Sequence, residues 1–337
     1  MSRFFLPDQR IIDCLNTDYG IKISVLTLIP LGADIDASVY KAQAYDRSSY
    51  FVKLRRGYHY GIAAVIQLSL HDAGIQQIIS PVATNHGQLT HCVDAFTLIV
   101  YPFIEGQDGF SRDLTNDQWI TLGNALRQVH EFHLPLVIKN QIKRESYSSK
   151  WREAVRSMYA HIDAEPRVAD EIALKLVVFM KEHRGTIQRL VDRAEQLGQK
   201  IEKQSPELVL CHSDIHGGNV LIANDGAVYL VDWDQPIMAP KERDLMFIGG
   251  GVANVWNNLH EEEFFYKGYG KTEINRDILA YYRHERIVED IAVDSQQLLL
   301  ATDAGTDREA IYKAFVDMFE PRGVVDIAFK TDTNYSF

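Results

Sequence analysis

The sequence predicts an α+β fold in which a small, strand-rich N-terminal lobe precedes a larger, mainly helical C-terminal lobe. Three observations predict it. The chain has 337 residues, more than one hydrophobic core usually spans. Short β-branched or apolar runs separated by turn residues dominate the first hundred residues, whereas helical periodicity dominates the rest. Strands followed by helices along a chain are typical of α+β folds.

The predicted N-terminal lobe covers residues 1–103. Ile62–His71 has apolar residues at helical spacing and ends before Gly74, so it is a predicted helix. Tyr101–Gly106 contains a proline and a glycine and is the predicted hinge between the lobes. The predicted strands of this lobe are Ile21–Ile29, Ser38–Ala44, Tyr50–Leu54 and Phe96–Val100.

The predicted C-terminal lobe covers residues 104–337 and is mostly helical. Thr115 is the predicted N-cap of a helix that runs to about Phe132. Two short strands, Leu208–Cys211 and Val228–Asp232, interrupt the helices. The remaining helices are predicted at residues 150–163, 168–203, 260–268, 276–300 and 307–319.

Composition and charge exclude several classes of protein. Apolar residues make up 46% and charged residues 24%, close to the globular average, which argues against disorder. The formal net charge of −11 disfavours nucleic acid as a partner and favours a cationic ligand. Cys14, Cys92 and Cys211 lack metal-ligand spacing and indicate free thiols in a reducing compartment. With no signal peptide or membrane-spanning run in the sequence, we expect a cytoplasmic monomer without a membrane partner.

Residues 208–234 carry a pattern of side chains suited to phosphoryl transfer. Two apolar strands bracket a polar loop in which His212, Asp214 and Asn219 have the spacing H-x-D-x-x-x-x-N, and the second strand ends in Asp232. A carboxylate can accept the proton of an attacking hydroxyl, which makes Asp214 the candidate catalytic base. Mg²⁺ prefers carboxylate and amide oxygens, so Asn219 and Asp232 are the candidate metal ligands.

Two histidines of this loop allow a second interpretation as zinc ligands. His212 and His216 are four residues apart, but the loop contains two glycines and no cysteine pair lies nearby. We therefore expect His212 to hold the loop through hydrogen bonds. Asp244 is expected to brace the same loop.

The run from His212 to Ile222, together with Val231-Asp232-Trp233-Asp234, resembles the signature of the aminoglycoside phosphotransferase family, which has the protein-kinase-like fold. The likeness covers nearly the whole chain. It extends beyond the catalytic motif to Lys150–Glu153, Ala239–Gly251 and Tyr281–Ala292, and the last two segments are more particular than the motif. The resemblance implies a kinase that uses ATP and Mg²⁺ to phosphorylate a hydroxyl of an aminocyclitol or aminoglycoside antibiotic.

The nucleotide site follows from this resemblance. A kinase needs a lysine on a strand of the small lobe to hold the phosphates, and Lys53 fits this position. The resemblance implies that the preceding loop contacts phosphate, through its backbone at Gly32 or through Ser38. It also implies that the hinge reads the edge of the adenine through backbone groups near Phe103. Tyr101, Phe103 and Ile104 are the hinge residues predicted to bind the nucleotide.

One feature departs from the kinase pattern. Kinases usually pair the strand lysine with a glutamate on the following helix. No acidic residue occurs between Lys53 and Asp72 in this chain. The departure implies either a different placement of the lysine or a weaker grip on phosphate.

The acceptor is expected to bind beside Asp214, in the helical lobe. An acidic and aromatic pocket there would suit a small, cationic, hydroxylated substrate such as an aminocyclitol. In the alternative interpretation, the carboxylates belong to a solvated helix face and pair with Arg283 and Arg286. The acidic candidates are Asp234, Glu285, Glu289 and Asp290, and the aromatic candidates are Trp256, Tyr281 and Tyr282.

Three hypotheses of function remain open from the sequence. The first is an antibiotic kinase that acts on an aminocyclitol. The second is a metabolic kinase of the same fold that acts on choline, homoserine, a thio-sugar or another small alcohol. The third, motivated by the missing glutamate, is a nucleotide-binding protein with little catalysis.

Overall fold

The computed structural model describes residues 6–29, 37–57, 61–165, 170–300 and 307–332. The chain forms two compact units. The first contains Met1–Lys143 and Gly218–Pro236, and the second contains Arg144–Gly217 and Ile237–Phe337. This division differs from the predicted boundary near residue 104, because the chain up to Lys143 and the segment from Gly218 pack with the N-terminal strands. The functional division into a nucleotide-binding lobe and an acceptor lobe stays a prediction.

The secondary structure alternates between strand-rich and helix-rich stretches. Up to residue 143 the elements are α1 (Asp8–Thr17), β1 (Ile23–Ile29), β2 (Ala37–Ala44), β3 (Ser49–Arg56), α2 (Gly61–Asp72), β4 (His91–Val93), β5 (Phe96–Pro102), β6 (Gly106–Asp108), α3 (Asn116–Glu131) and α4 (Leu136–Lys139). The remaining elements are β7 (Lys143–Arg144), α5 (Lys150–Asp163), α6 (Glu171–Glu182), α7 (Arg184–Gln204), β8 (Val209–Cys211), β9 (Val220–Ala223), β10 (Val228–Leu230), β11 (Ile237–Ala239), α8 (Glu242–Leu245), α9 (Leu259–Tyr269), α10 (Arg276–Leu299), α11 (Arg308–Asp317) and α12 (Val324–Thr331). This content confirms the predicted α+β class.

A five-stranded antiparallel sheet forms the core of the first unit, in the order β1-β2-β3-β5-β4. Its central strand β3 alternates between the two faces, so that Val52 and Leu54 are buried whereas Lys53 points to the other face. Lys53 is paired with Val39 on β2 and with Ile99 on β5. A lysine on a central strand is held firmly, since the strand as a whole is hydrogen-bonded to a neighbour on each side.

A second sheet of the first unit joins segments that are distant in sequence. Its order is β10-β9-β6, and both pairs of strands are antiparallel. The turn between β9 and β10 contains Gly226 in the left-handed region (φ 91°), where glycine has no steric penalty. The predicted strand ending in Asp232 is shorter in the structure and ends at Leu230.

The second unit is built around α10, which has 24 residues and is buried along most of its length. It packs against α7, α5 and α12. The apolar side chains at its centre include Ile287, Val288, Ile291 and Ala292, and they join a core cluster with residues from α5, α6, α7, α11 and α12. The helical periodicity of residues 276–300 was therefore a reliable signal.

Some of the predicted elements differ from the observed ones. The predicted helix over 168–203 is two helices, because His183 leaves the helical conformation (φ −95°, ψ 9°) and its ring stacks on Phe179 at 3.9 Å between centroids. The elements α1, α4, α8, α12, β4, β6, β7 and β11 were not predicted from the sequence. Among the described residues, no helix has the length and apolarity needed to cross a membrane.

The N-terminus of α3 forms a capping box, as the sequence around Thr115 suggests. The Thr115 side chain accepts a hydrogen bond from the Gln118 N–H at 3.3 Å, and the Gln118 side chain accepts one from the Thr115 N–H at 2.9 Å. Two backbone donors at the helix end are satisfied in this way.

We expect Thr115→Ala to lower the free energy of unfolding of the first unit by about 1 kcal/mol, because one backbone N–H loses its acceptor. Urea unfolding followed by far-UV circular dichroism measures the change. Thr115→Ser is the matched control and should retain most of the stability. Equal unfolding midpoints for the alanine and the serine variants would contradict the role of the cap.

Candidate active site

The loop after β8 is held by a buried carboxylate. Asp244, which is fully buried, accepts hydrogen bonds from the backbone N–H of His212 at 2.9 Å and of Ser213 at 2.7 Å. The ring of His212 accepts one from the Asp214 N–H at 3.3 Å. These are the contacts that the predicted supporting roles of Asp244 and His212 require. The backbone next to Asp214 is therefore held in one conformation.

Asp214 interacts with two basic side chains of the second unit. Arg286 Nη1 lies 2.6 Å from its Oδ1, and His216 Nε2 lies 3.4 Å from its Oδ2. Burial raises the pKa of Asp214, but the His216 hydrogen bond and the positive charge of Arg286 outweigh burial and lower it well below its usual range. The carboxyl group is therefore ionised at neutral pH and can accept a hydrogen bond from a hydroxyl.

Arg286 contacts Asp290 and Phe247 in addition to Asp214. Its Nε lies 2.9 Å and 3.2 Å from the two carboxylate oxygens of Asp290, and its guanidinium lies 5.6 Å from the centre of the Phe247 ring. Burial lowers the pKa of Arg286, but the charges of Asp290 and Asp214 raise it overall, so the side chain stays protonated. The predicted pairing of Arg286 with a carboxylate of its own helix is therefore present, and it extends to Asp214.

The acidic residues of α10 fall into two groups. Glu285 is buried and forms an ion pair with Arg152 of α5, so the structure does not bring it to the Asp214 cluster, and burial raises its pKa to about 7. Glu289 and Asp290 belong to the Arg286 side of the helix, where burial raises the pKa of each. Asp294, which the sequence analysis missed, continues this row one turn further, and burial raises its pKa to about 7. Asp294 follows Asp290 by four residues, and this helical spacing in the sequence could have indicated that the two side chains lie together.

The aromatic candidates are packing residues in this structure. Trp256, Tyr281 and Tyr282 have at most 5% of their surface exposed. Tyr281 packs edge-on against Tyr147 with ring centroids 5.4 Å apart. The prediction that Trp256, Tyr281 and Glu285 contact a substrate is therefore corrected, because burial leaves these side chains no surface for an acceptor.

In the first unit, Lys53 lies between two carboxylates. Its Nζ is 2.8 Å from Asp232 Oδ1 and 2.7 Å from Asp234 Oδ2, and Arg55 Nη1 is 3.2 Å from the same Asp234 oxygen. Burial lowers the pKa of Lys53, but the charges of both aspartates raise it overall. The lysine thus has acidic partners from residues 232–234 in place of a helix glutamate. Asp234, predicted to bind substrate, is a partner of Lys53 and Arg55, and its role in substrate binding stays a prediction.

Asn219 and Asp232 supply the kinds of ligand that Mg²⁺ needs. Asn219 ends a 3₁₀ turn, Gly217–Asn219, and its backbone carbonyl accepts a hydrogen bond from the Val231 N–H at 3.0 Å. This bond joins the backbone of Asn219 to Val231, the residue before Asp232. The side chain of Asp232 is 47% exposed. An amide and an accessible carboxylate on adjoining backbone segments of the first unit fit the donor set of Mg²⁺.

Two polar groups of the predicted hinge form hydrogen bonds within the protein. The Phe103 N–H donates to the Ser49 carbonyl at 2.9 Å and is engaged within the sheet, whereas the prediction for other backbone groups near Phe103 stays a prediction. The Tyr101 hydroxyl donates to Gln67 Oε1 at 2.8 Å and is likewise engaged. Ile104 is half-buried just after β5. Ser38 lies near the start of β2, paired with Leu54, and Gly32 falls outside the described residues.

The catalytic motif is divided between the compact units. The boundary falls between Gly217 and Gly218, so Asp214 belongs to the second unit and Asn219 to the first. The second unit holds the braced carboxylate, and the first unit holds the partly buried lysine with its acidic partners. A strand lysine, an amide and carboxylate pair that suits Mg²⁺, and an ionised carboxylate on a braced loop are the groups that a phosphotransferase of the kinase-like class needs.

The chain belongs to the phosphotransferase enzyme family, whose model matches residues 27–264. Its structure is similar to spectinomycin phosphotransferase APH(9)-Ia in complex with ADP and spectinomycin, with 47% sequence identity and a TM-score of 0.89, over 96% of this chain and 98% of that chain. The AMP-bound complex of the same enzyme shares 45% identity with a TM-score of 0.85, over 96% and 99% of the two chains. The likeness to this enzyme was also predicted from the sequence, on Lys150–Glu153, Ala239–Gly251 and Tyr281–Ala292, and it is confirmed.

A curated relative is more distant. Protein StrN of Streptomyces griseus is 22% identical over 224 residues, which cover 65% of this chain and 67% of StrN.

We expect Arg286→Gln to raise the pKa of Asp214 by about 1–3 units, because an adjacent opposite charge is removed. The acidic limb of the pH profile of kcat/KM should then move to higher pH by a similar amount. Arg286→Lys is the matched control and should keep most of the wild-type profile, since it retains the charge. An acidic limb that does not move in Arg286→Gln would show that Asp214 does not control it.

Proposed function

We propose that this phosphotransferase uses ATP to phosphorylate a hydroxyl of an aminocyclitol, and that the aminocyclitol is spectinomycin. The observation that carries the proposal is the 47% identity over nearly the whole chain to an enzyme whose structure holds ADP and spectinomycin. Identity at this level extends beyond the motif that kinases of many substrates share. The biological role that fits is resistance to the antibiotic.

Asp214 is proposed to orient the attacking hydroxyl and receive its proton. Its lowered pKa keeps it ionised at neutral pH, which favours accepting a hydrogen bond over strong proton abstraction. Phosphoryl transfer proceeds through a loose transition state, so positioning of the hydroxyl contributes more than basicity. The ion pair with Arg286 supports this role because it fixes the direction of the carboxylate.

Lys53 is proposed to hold the phosphates of the nucleotide, with Asn219 and Asp232 holding Mg²⁺. When bound, the ion neutralises charge that develops on the phosphate oxygens. Lys53 has a raised pKa and only 15% of its side chain is exposed, so it presents a fixed positive charge. The missing helix glutamate motivated the third hypothesis, a protein with little catalysis. The pairing of Lys53 with Asp232 and Asp234 argues against that hypothesis, because it supplies acidic partners to the lysine.

The acceptor is proposed to be a small cation that carries hydroxyl groups. Glu289, Asp290 and Asp294 form a row of carboxylates on α10, of which Asp290 is engaged by Arg286. Glu289 and Asp294 are the proposed partners for the protonated amines of an aminocyclitol. The net charge of −11 supports a cationic substrate and disfavours nucleic acid. For the nucleotide base, we propose Ile104 and the backbone carbonyls of Tyr101 and Phe103 as contacts.

The second hypothesis, a metabolic kinase for choline, homoserine or another small alcohol, is not favoured by any specific contact. Location in the cytoplasm and a monomeric state stay predictions.

We expect Asp214→Ala to lower kcat for spectinomycin phosphorylation by about 10²–10⁴-fold, because the oriented proton acceptor is lost. The assay follows phosphate transfer from ATP across a panel of aminocyclitols, aminoglycosides, choline and homoserine. Asp214→Asn keeps the shape of the side chain without its charge and should lose activity as well. If choline or homoserine is phosphorylated and spectinomycin is not, the proposed acceptor is wrong. If kcat is unchanged in Asp214→Ala, the proposed catalytic role of Asp214 is wrong.

We expect Asn219→Ala and Asp232→Ala each to weaken binding of ATP in the presence of Mg²⁺ by about tenfold or more, since each removes an oxygen ligand. Isothermal titration calorimetry with and without Mg²⁺ measures this. Asp225→Asn alters an exposed carboxylate in the turn between β9 and β10 and serves as the control. If both variants keep the wild-type affinity for the magnesium complex, the proposed metal ligands are wrong.

A further inference from the structure

Three potential metal ligands meet in the first unit, at the end of α1. Cys14 lies in the last turn of α1, and Asp18 is the residue that caps its C-terminus. The two are four positions apart, which places them on the same face of the helix. His91 is the first residue of β4, the edge strand of the five-stranded sheet. None of the three has a role in the proposed phosphotransferase reaction.

The distances between these side chains suit a single ion. One ligand atom from each of Cys14, Asp18 and His91 lies within 4.8 Å of the other two. His91 Nε2 and Asp18 Oδ2 are 3.6 Å apart, too far for a good hydrogen bond. In a tetrahedral zinc site, bond lengths of about 2.0–2.3 Å place neighbouring ligand atoms about 3.3–3.8 Å apart. The side chains therefore need to move little to share a metal.

The backbone around the cluster is well anchored. The Asp18 N–H donates to the Cys14 carbonyl at 2.8 Å, and the Asn85 N–H donates to the Asp18 carbonyl at 2.7 Å. The Thr17 hydroxyl donates to Asp18 Oδ2 at 2.9 Å, which orients the carboxylate. The ring of Tyr19 packs edge-on against His91, with centroids 6.5 Å apart. Contacts of this kind orient metal ligands in established sites.

The cluster also has an open side. Cys14 is buried, with 5% of its surface exposed, but the side chains of Asp18 and His91 are 35% and 26% exposed. An ion can reach the group from the side of Asp18 and His91. A zinc ion with three protein ligands takes a water molecule as its fourth ligand.

We propose that Cys14, Asp18 and His91 form a site for a divalent transition metal of the zinc class, with one thiolate, one carboxylate and one imidazole ligand. Thiolate and imidazole select zinc-like ions over Mg²⁺, so this site is separate from the one proposed at Asn219 and Asp232. On binding, the sulfur–hydrogen bond of Cys14 is replaced by a sulfur–metal bond, and one proton passes to solvent.

The positions of the three ligands along the chain explain why the sequence alone did not indicate this metal site. His91 is far from the other two ligands along the chain, and the pair Cys14 and Asp18 alone matches no metal-binding motif. Only the folding of β4 beside α1 brings the three side chains together. The metal would join the end of α1 to the edge of the sheet and thereby stabilise the first unit.

Cobalt(II) is the probe for the test, because a cobalt–thiolate bond gives a charge-transfer absorption band that oxygen and nitrogen ligands do not give. The full chain, freed of metal by a chelator, is titrated with Co²⁺ and then with Zn²⁺. We expect a thiolate band that saturates at one equivalent and disappears when Zn²⁺ displaces Co²⁺. Zn²⁺ should also raise the thermal unfolding midpoint of the wild-type chain.

Two variants and a matched control locate the ligands. Cys14→Ser should abolish the band, and His91→Ala should weaken Co²⁺ binding at least tenfold. Cys92→Ser removes an exposed thiol next to His91 and should leave the band unchanged. Circular dichroism of each metal-free variant confirms that it is folded.

The absence of a thiolate band in the wild-type chain would overturn the proposal. A band lost in Cys92→Ser and retained in Cys14→Ser would also overturn it, since the exposed cysteine would then be the ligand. Phosphotransferase activity is measured separately in each variant, so the outcome here does not depend on the proposed function.

Discussion

The two oxygens of Asp244 are committed to backbone N–H groups of His212 and Ser213, and the loop that carries Asp214 depends on this contact. Ser213 has a φ of 80°, a conformation that costs energy for any residue except glycine. A fully buried carboxylate that accepts two hydrogen bonds offsets that cost. Without it, two buried donors would be left unsatisfied and the direction of Asp214 would no longer be fixed.

Both halves of the proposed reaction use the same electrostatic arrangement. Lys53 lies between Asp232 and Asp234, and Arg286 lies between Asp214 and Asp290. Two neighbouring carboxylates repel each other when they are partly buried, and a cation between them removes that penalty. In each cluster the cation favours the ionised form of its carboxylates, but burial still raises the pKa of Asp234 and Asp290. The cost is that each cation is itself partly desolvated, which the paired carboxylates compensate.

The sequence predicted the elements more accurately than the contacts between them. Helix α5 begins and ends where its periodicity placed it, because the apolar pattern of a helix is a local property. The partners of Lys53 lie far along the chain, so no local pattern could indicate them. The strand-face rule could not have indicated Asp234, because β10 ends at Leu230 and Asp232 has a φ of 62°. For Glu285, helical spacing showed its neighbours on α10 but not that Arg152 of α5 covers it.

The order in which the ribosome makes the chain affects how the first unit folds. Strand β6 ends at Asp108, but its partner β9 begins only at Val220, after helices of the other unit have been made. As the ribosome adds residues from the N-terminus, β6 must wait with an unpaired edge until β9 and β10 emerge. The five-stranded sheet has no such delay, because all its strands lie within the first 102 residues. Chaperone dependence of the nascent chain should therefore be greatest between the emergence of β6 and that of β10.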